Sequence, residues 1–307
     1  MKTVKDFIYG VQYYRAPTPL PEEWDTDISK IKKMGFNAIQ LRPQWRWHER
    51  IRGKFYLDDL DRLFDLCEKH GLKVIFKFLL ETAPAWLYRM YNCERVDIHG
   101  NKIPPVATAA CYVGGWCPCF DHPKVREEAN RFIDTCVKRY KDRKNLLVWN
   151  IWNEPGSRPI GDCACEESKK SYRRWLRARY HTIEELNDYW GKAWGSFEEI
   201  DPPPRFRDYA EMYLWRQWAM YSVTDRLNWV SKQVRSIDNA HPVITHVGGC
   251  SVIQDVVGGS SDDRANAGTV DFYGSSFPVG QISSGDARRI VKMGMIADWI
   301  RSVSKYY

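Results

Sequence analysis

The sequence predicts an α/β fold, a (β/α)8 TIM barrel, with about six of the eight βα units present in this chain of 307 residues. Three observations point there. Short apolar runs rich in β-branched and aromatic residues alternate with stretches whose apolar residues recur at spacings of three and four. The runs are apolar on both faces, as strands buried in a parallel sheet are. The turns before them are tight ("KMGFN", "KHGLK"), whereas the loops after them are long and hold the unusual residues. A barrel that collects its site at the carboxyl ends of its strands has this asymmetry. A doubly wound sheet is the competing arrangement. It would ordinarily carry a glycine-rich phosphate turn after its first strand, and "QYYRAPTPLPEEW" contains no glycine.

Taken in order, the first strand is read over 7–14 (FIYGVQYY) and the first helix over 22–35 (EEWDTDISKIKKMG), closed by a glycine suited to a helix end. The second strand is 38–45 (AIQLRPQW), followed by a helix over 57–71 that also ends at glycine, and the third strand is 73–80 (KVIFKFLL). A helix over 123–142 leads into the fourth strand, 146–153 (LLVWNIWN). The segment 155–240 reads as a long insertion that holds cysteines and helices, the last from about Asp208 to Ser236 and rich in Trp, Tyr and Met, which suits helix packing. The fifth and sixth strands are 242–249 (PVITHVGG) and 270–277 (VDFYGSSF), and a sixth helix follows. One domain over 1–307 is expected, incomplete at its carboxyl end.

Composition narrows the partners. No apolar leader opens the chain and no segment is long and apolar enough to span a bilayer, so a soluble cytoplasmic protein is expected, with no membrane partner. The net charge of +7 arises from 46 basic and 39 acidic residues, and the acids are interspersed among basic clusters such as "KRYKDRK". That mixture reads as solvated helix faces and no nucleic-acid partner; a zinc-stabilised nucleic-acid binder would rest on charge alone. Nine cysteines, an odd number, argue against a complete disulfide framework.

The chemistry begins at "LLVWNIWNEPGS", where a strand that belongs in a core runs into Asn153 and Glu154. A carboxylic acid held at such an end and partly shielded from water has its pKa raised toward the value a general acid needs near neutrality. An amide beside it can hydrogen-bond a substrate hydroxyl. Asn-Glu-Pro at the end of a fourth strand resembles the acid/base signature of retaining (β/α)8 glycosidases. "EEWDTDISKIKKMGFNAIQL", "WHERIRGKFYLDDLDRLFDLCEKHGLKVIF", "ETAPAWL", "CPCFDHPKVREEANRFIDTCVKRYKDRKNLLVWNIWNEPG" and "YRRWLRARYHTIEELNDYWGKAWGSFEEI" narrow the resemblance to glycoside hydrolase family 42, the β-galactosidases and their relatives, over nearly the whole chain.

The resemblance implies a glycoside hydrolase acting on β-galactosides or related glycosides by double displacement, with Glu154 as acid then base, Asn153 on the 2-hydroxyl, and an oligosaccharide or glycoside as partner. It implies a nucleophilic Glu at the end of a seventh strand, which places that residue beyond Tyr307 and the chain as truncated before it. It also implies a trimer as the homo-oligomer. Two departures stand out: Gln40 occupies the usual Arg position with Arg42 two places on, and Phe277-Pro278 replaces a Tyr-Pro. A non-catalytic carbohydrate-binding barrel is the alternative function. Asp271 and Glu81 are substitutes for the nucleophile, and of the two only Glu81 is expected to point at the mouth.

Cys117-Pro-Cys119 and Cys163-Ala-Cys165 flank the acid/base strand as two C-x-C pairs, suited to a closed, tetrahedral, structural Zn²⁺ site. Family members that bind such a zinc match at Cys119, Cys163 and Cys165, with Ser168 at the fourth position. Cys117 is the expected replacement and Cys111 the reserve, against a reading as unliganded thiols. No organic cofactor is expected. Arg42 is expected on a sugar hydroxyl or in an internal salt bridge. Trp45, Trp47 and Trp86 are expected to stack on a sugar or pack loops. His246 and Tyr273 come from strands five and six with a core role weighed against substrate contact, Tyr273 being carried as a substrate-binding residue.

Overall fold

Gly10–Arg15 (β1), Ala38–Arg42 (β2), Lys73–Lys77 (β3), Leu146–Asn153 (β4), Val243–Gly248 (β5) and Phe272–Ser276 (β6) pair in sequence order into one six-stranded sheet in a computed structural model of the chain. The described residues are 4, 7–103, 117–156, 163–203, 208–248, 250–251, 261–276 and 287–304. All five pairings are parallel, with Arg15 opposite Arg42, Phe76 opposite Trp149 and Asn153 opposite His246. Such an arrangement requires a crossover between successive strands, and the amphipathic segments supply it. The fold is a partial (β/α) barrel of six βα units, with β1 and β6 at the edges of the sheet among the described residues.

The helices form where the 3.6-residue spacing is. They are Trp24–Lys33 (α1), the single turn Trp45–His48 (α2), Asp58–Lys69 (α3), Ala85–Tyr91 (α4), Pro123–Tyr140 (α5), Glu166–Tyr180 (α6), Ile183–Trp190 (α7), Tyr209–Ile237 (α8), Asp263–Ala267 (α9) and Ala287–Val303 (α10). Gly35 and Gly71 follow α1 and α3 with φ of +90° and +66°, the left-handed conformation that a helix exit favours and a side chain resists. Pro123 opens α5 where its missing N–H costs nothing, and the Thr182 side chain accepts from the backbone N–H of Glu185 at the start of α7. Sequence reading continued β2 and β3 a few residues too far; the chain instead turns into α2 and into the loop before α4.

The outer faces of the strands carry the main core. Phe76 packs on Tyr140 of α5 with ring centroids 5.3 Å apart, Phe78 lies 6.4 Å from Phe132 of the same helix, and Trp149 is fully buried among them. Each such large apolar side chain contributes about 1.5–3 kcal/mol by leaving water. A second cluster holds α6, α7 and the first half of α8 together around Tyr172, Leu186, Trp190, Trp215 and Trp218, so the aromatics of α8 pack helices, as their spacing implied. Among the described residues no helix is long and apolar enough to cross a membrane.

Candidate active site

Alternation along β3 decides what enters the barrel. Phe76 and Phe78 face the helices, so Lys77 between them must face inward, and it is completely buried there. On β2, Ile39 and Leu41 belong to the core between sheet and helices, which turns Gln40 and Arg42 to the other face. Arg42 therefore stands on the same face as Gln40, one strand repeat nearer the mouth.

β4 does not follow simple alternation. Its pairing with β5 shifts between Asn150 and Asn153, and Trp152 packs outward against Phe120 and the Arg226 guanidinium of α8. This irregularity puts Asn150 and Asn153 on the same inner face although they are three residues apart, the re-aiming that a bulge provides. Asn150 Nδ2 donates to Gln40 Oε1 at 3.4 Å deeper in the barrel. At the rim, Asn153 Oδ1 accepts from Lys77 Nζ at 2.7 Å and from Arg42 Nη2 at 3.0 Å. Arg42 Nη1 donates to Gln12 Oε1 of β1 at 2.8 Å, and Lys77 Nζ stands 3.3 Å from His246 Nε2 of β5. These contacts join β1 to β5 through the interior.

Burial sets the protonation of this group. Lys77 is lowered to about 7, first by desolvation and then by Arg42. His246 is lowered to about 3, again by desolvation and then by Lys77 and Arg42, so it is neutral and offers a lone pair. Glu81, in the loop after β3, is raised to about 7 by desolvation against the pull of Lys77 and Arg42, and its Oε2 is buried without a hydrogen-bond partner among the described residues.

Glu154 follows β4 directly with φ +47°, a left-handed backbone that is uncommon for a residue with a side chain. Its side chain is exposed at the rim, not shielded as the sequence suggested; the buried carboxyl of the mouth is Glu81. Gly248, the last residue of β5, lies under it: a Cβ there would come within 3.2 Å of Glu154 Cδ. Glu154 faces the same cluster, since both Lys77 and Arg42 feel its charge.

Three expected substrate contacts go elsewhere. Trp45 is fully buried, its indole donating to Glu49 Oε2 at 2.7 Å and its ring lying against Phe132 and Trp86, because the α2 turn tucks it behind the strand. Trp47 is drawn to α3, where its Nε1 donates to Asp59 Oδ2 at 3.2 Å, and Arg50 lies over its ring. Tyr273 falls on the helix side of β6 and donates to Asp263 Oδ1 of α9 at 2.8 Å. Trp86 likewise spends its indole N–H on the Glu49 carbonyl. Lys77 was missed altogether; the signal available was a lysine inside an otherwise apolar strand. His246, weighed as a core residue, stands in the mouth.

The cysteines gather differently from expectation. The sulfurs of Cys119, Cys163 and Cys165 lie within 4.8 Å of one another and form a cluster able to hold a metal ion. Cys117 is not among them; its sulfur contacts the carbonyl of neighbouring Pro118 at 3.8 Å. Ser168 stands beside the cluster, its Oγ 3.3 Å from Cys119 Sγ and 3.7 Å from Cys165 Sγ and donating to Asp121 Oδ2 at 2.7 Å. The reason is local: α6 begins at Glu166 and its first turn brings Ser168 to Cys165. Edges of a tetrahedral thiolate site measure about 3.8 Å, close to the 3.4 Å between Cys165 and Cys119, so the donors fit a metal. The contacts of Cys119 and then Cys163 hold Cys165 well below the usual thiol range, the direction that suits a metal ligand. Cys111 and Phe277-Pro278 lie outside the described residues.

The sequence profile of glycoside hydrolase family 42, described as "Beta-galactosidase", matches residues 13–306. Beta-galactosidase Bga of Halorubrum lacusprofundi is 31% identical over 200 residues, 63% of this chain and 28% of that protein. Beta-galactosidase BgaB of a Geobacillus species is 28% identical over 214 residues, 66% of this chain and 30% of that one. The matched stretch thus spans less than a third of these curated relatives. Among solved structures, the beta-galactosidase of Halorubrum lacusprofundi superposes with a TM-score of 0.78 at 24% identity, covering 92% of this chain and 42% of that chain. A catalytic mutant of Gan42B, a GH42 beta-galactosidase from G. stearothermophilus, gives 0.81 at 21%, covering 97% and 44%. At these identities the superpositions bear on the fold.

Proposed function

We propose, on the premise that this chain belongs to glycoside hydrolase family 42, that its barrel mouth binds a β-galactoside or related glycoside and that Glu154 protonates the glycosidic oxygen in a retaining reaction. One observation carries this reading: Glu154 stands at the carboxyl end of β4 above Gly248, beside an Asn153 anchored inward by Arg42 and Lys77. An exposed rim carboxyl is open to a leaving group arriving from solvent, and a sugar seated over it would supply the shielding that a general acid requires. In the first step Glu154 gives its proton to the departing oxygen while a second carboxylate attacks the anomeric carbon. In the second it takes a proton from a water whose oxygen attacks the anomeric carbon, breaking the bond to the second carboxylate and releasing the sugar.

A retaining pair stands about 5–5.5 Å apart, and the attacker must be ionised. Glu81, raised to about 7 by its burial, suits that role poorly, and the family assigns it to a glutamate on a seventh strand. Asn153 is suited to the 2-hydroxyl. The test is Glu154→Gln in the full chain, assayed on aryl β-galactosides. A loss of about 10²–10⁴-fold on poor leaving groups that shrinks on an activated one is expected. Equal loss on both, or none, refutes the acid role.

The cysteine cluster supports a structural Zn²⁺ held by Cys119, Cys163 and Cys165, with Ser168 at the fourth corner, clamping the start of α6 to the segment before α5. Cys67, Cys93, Cys136 and Cys250 are buried thiols joined in no disulfide, which favours a reducing compartment such as the cytoplasm. The trimer implied by the family belongs to the same reading and is checked by light scattering.

A further inference from the structure

The mouth contains a cation that the reaction does not itself call for. Lys77 is fully buried on β3 and spends its ammonium on two inward groups, Asn153 Oδ1 at 2.7 Å and His246 Nε2 at 3.3 Å. Arg42 Nη2 reaches the same Oδ1 at 3.0 Å. Two cationic donors thus occupy the carbonyl end of the Asn153 carboxamide, and its Nδ2 makes no hydrogen bond among the described residues. Rotating that carboxamide by half a turn would set its NH2 against an ammonium and a guanidinium, three donor groups with no acceptor between them. The lock therefore has one orientation.

We propose that Lys77 is a positioning residue: with Arg42 it fixes the Asn153 carboxamide with its NH2 turned to the mouth, so that the site addresses the sugar's 2-oxygen as a hydrogen-bond acceptor. The inference rests on the glycosidase reading and adds to it a group from a strand that the Asn-Glu pair does not occupy. His246 completes the arrangement from β5. Being neutral, it accepts from Lys77 and keeps the ammonium from turning away from Asn153. Arg42 alone leaves one lone pair of Oδ1 open, so the lock needs both cations.

The experiment compares Lys77→Met with Lys77→Gln in the full chain. The two side chains have similar reach, and only Gln keeps an N–H donor for Asn153. The kcat/KM ratio between an aryl β-galactoside and its 2-deoxy analogue is measured for wild type and both variants. Lys77→Met is expected to shrink that ratio about tenfold or more, the worth of a charge-assisted hydrogen bond, and Lys77→Gln to retain most of it. A lysine that only supports the fold would slow both substrates alike and leave the ratio unchanged, and that result overturns the proposal. A second readout needs no turnover: the side-chain ¹⁵N–¹H pair of Asn153 is expected to shift and exchange faster in Lys77→Met. An unchanged pair overturns the lock whatever the enzyme cleaves. A shifted pair in a protein that hydrolyses no galactoside upholds the lock and removes the glycosidase reading instead.

Discussion

Replacing Gly248 by alanine tests whether Glu154 works where the structure holds it. Gly248 ends β5 directly beneath the acid, and a Cβ at that position would sit 3.2 Å from Glu154 Cδ and 3.4 Å from Oε2. Ordinary carbon contacts are about 3.5–4.0 Å, so the carboxylate must retreat by about 0.3–0.8 Å. The atoms that resist the methyl all belong to the Glu154 side chain, which is exposed and free to yield, and the backbone of Gly248 does not require glycine's conformational range. Stability should therefore change by less than about 1 kcal/mol. Chemistry should not escape so lightly: a misplacement of 1 Å costs about 10²-fold, so on a logarithmic scale this displacement costs about 4- to 40-fold in kcat. KM should move little, because the group displaced acts on the leaving oxygen. The assay is steady-state hydrolysis of aryl β-galactosides that differ in leaving-group acidity, together with a thermal melt. A loss confined to poor leaving groups, with the melt unchanged, is the expected result. An equal loss on every substrate, or no loss, refutes the placement of Glu154 above Gly248 as the proton donor.

Four further outcomes follow from the same geometry. Trp45→Ala should cost about 3–5 kcal/mol in urea unfolding and leave KM unchanged, because the ring is core rather than sugar platform; a KM effect without destabilisation would contradict this. Tyr273→Phe should cost about 1–3 kcal/mol by stranding Asp263, again without a KM change in steady-state kinetics. Purified protein should hold about one zinc per chain by elemental analysis, retained in Cys117→Ser and lost in Cys163→Ser, with Ser168→Cys resisting chelators better than wild type. For pH dependence, Glu81 holds its proton more tightly folded than unfolded, its pKa rising from 4.5 to about 7. Its contribution is therefore fully present below about 4.5 and is lost as pH rises to about 7, at most about 3 kcal/mol. Glu81→Gln should flatten that part of the urea-denaturation profile, and an unchanged slope would refute the burial argument.

Much of the architecture was legible in the residues because it rests on local rules. Alternation of apolar runs with 3.6-period stretches marked the six strands and the main helices, and the glycines after α1 and α3 marked their ends to within a residue or two. The position of Asn153 and Glu154 at the end of β4 was equally legible, since a strand that stops at polar residues in a parallel barrel stops at the face where sites form. The aromatic content of α8 was read correctly as packing.

The direction in which side chains point was not legible, because it depends on contacts distant in sequence. Simple alternation from Asn150 would have turned Asn153 outward, and only the irregular pairing of β4 with β5 brings it to Lys77 and Arg42. Lys77 itself becomes an interior residue only because Phe76 and Phe78 find α5. Trp45 and Trp47 sit in sequence just after the mouth end of β2 and Tyr273 lies within β6, yet the carboxylates of Glu49, Asp59 and Asp263 claim their polar atoms on the helix side. Counting cysteines chose Cys117, whereas the first turn of α6 puts Ser168 beside Cys119 and Cys165. Periodicity along a chain specifies which elements form and in what order; which face of each element meets which partner is set by register and packing between elements, where a shift of one residue exchanges inside for outside.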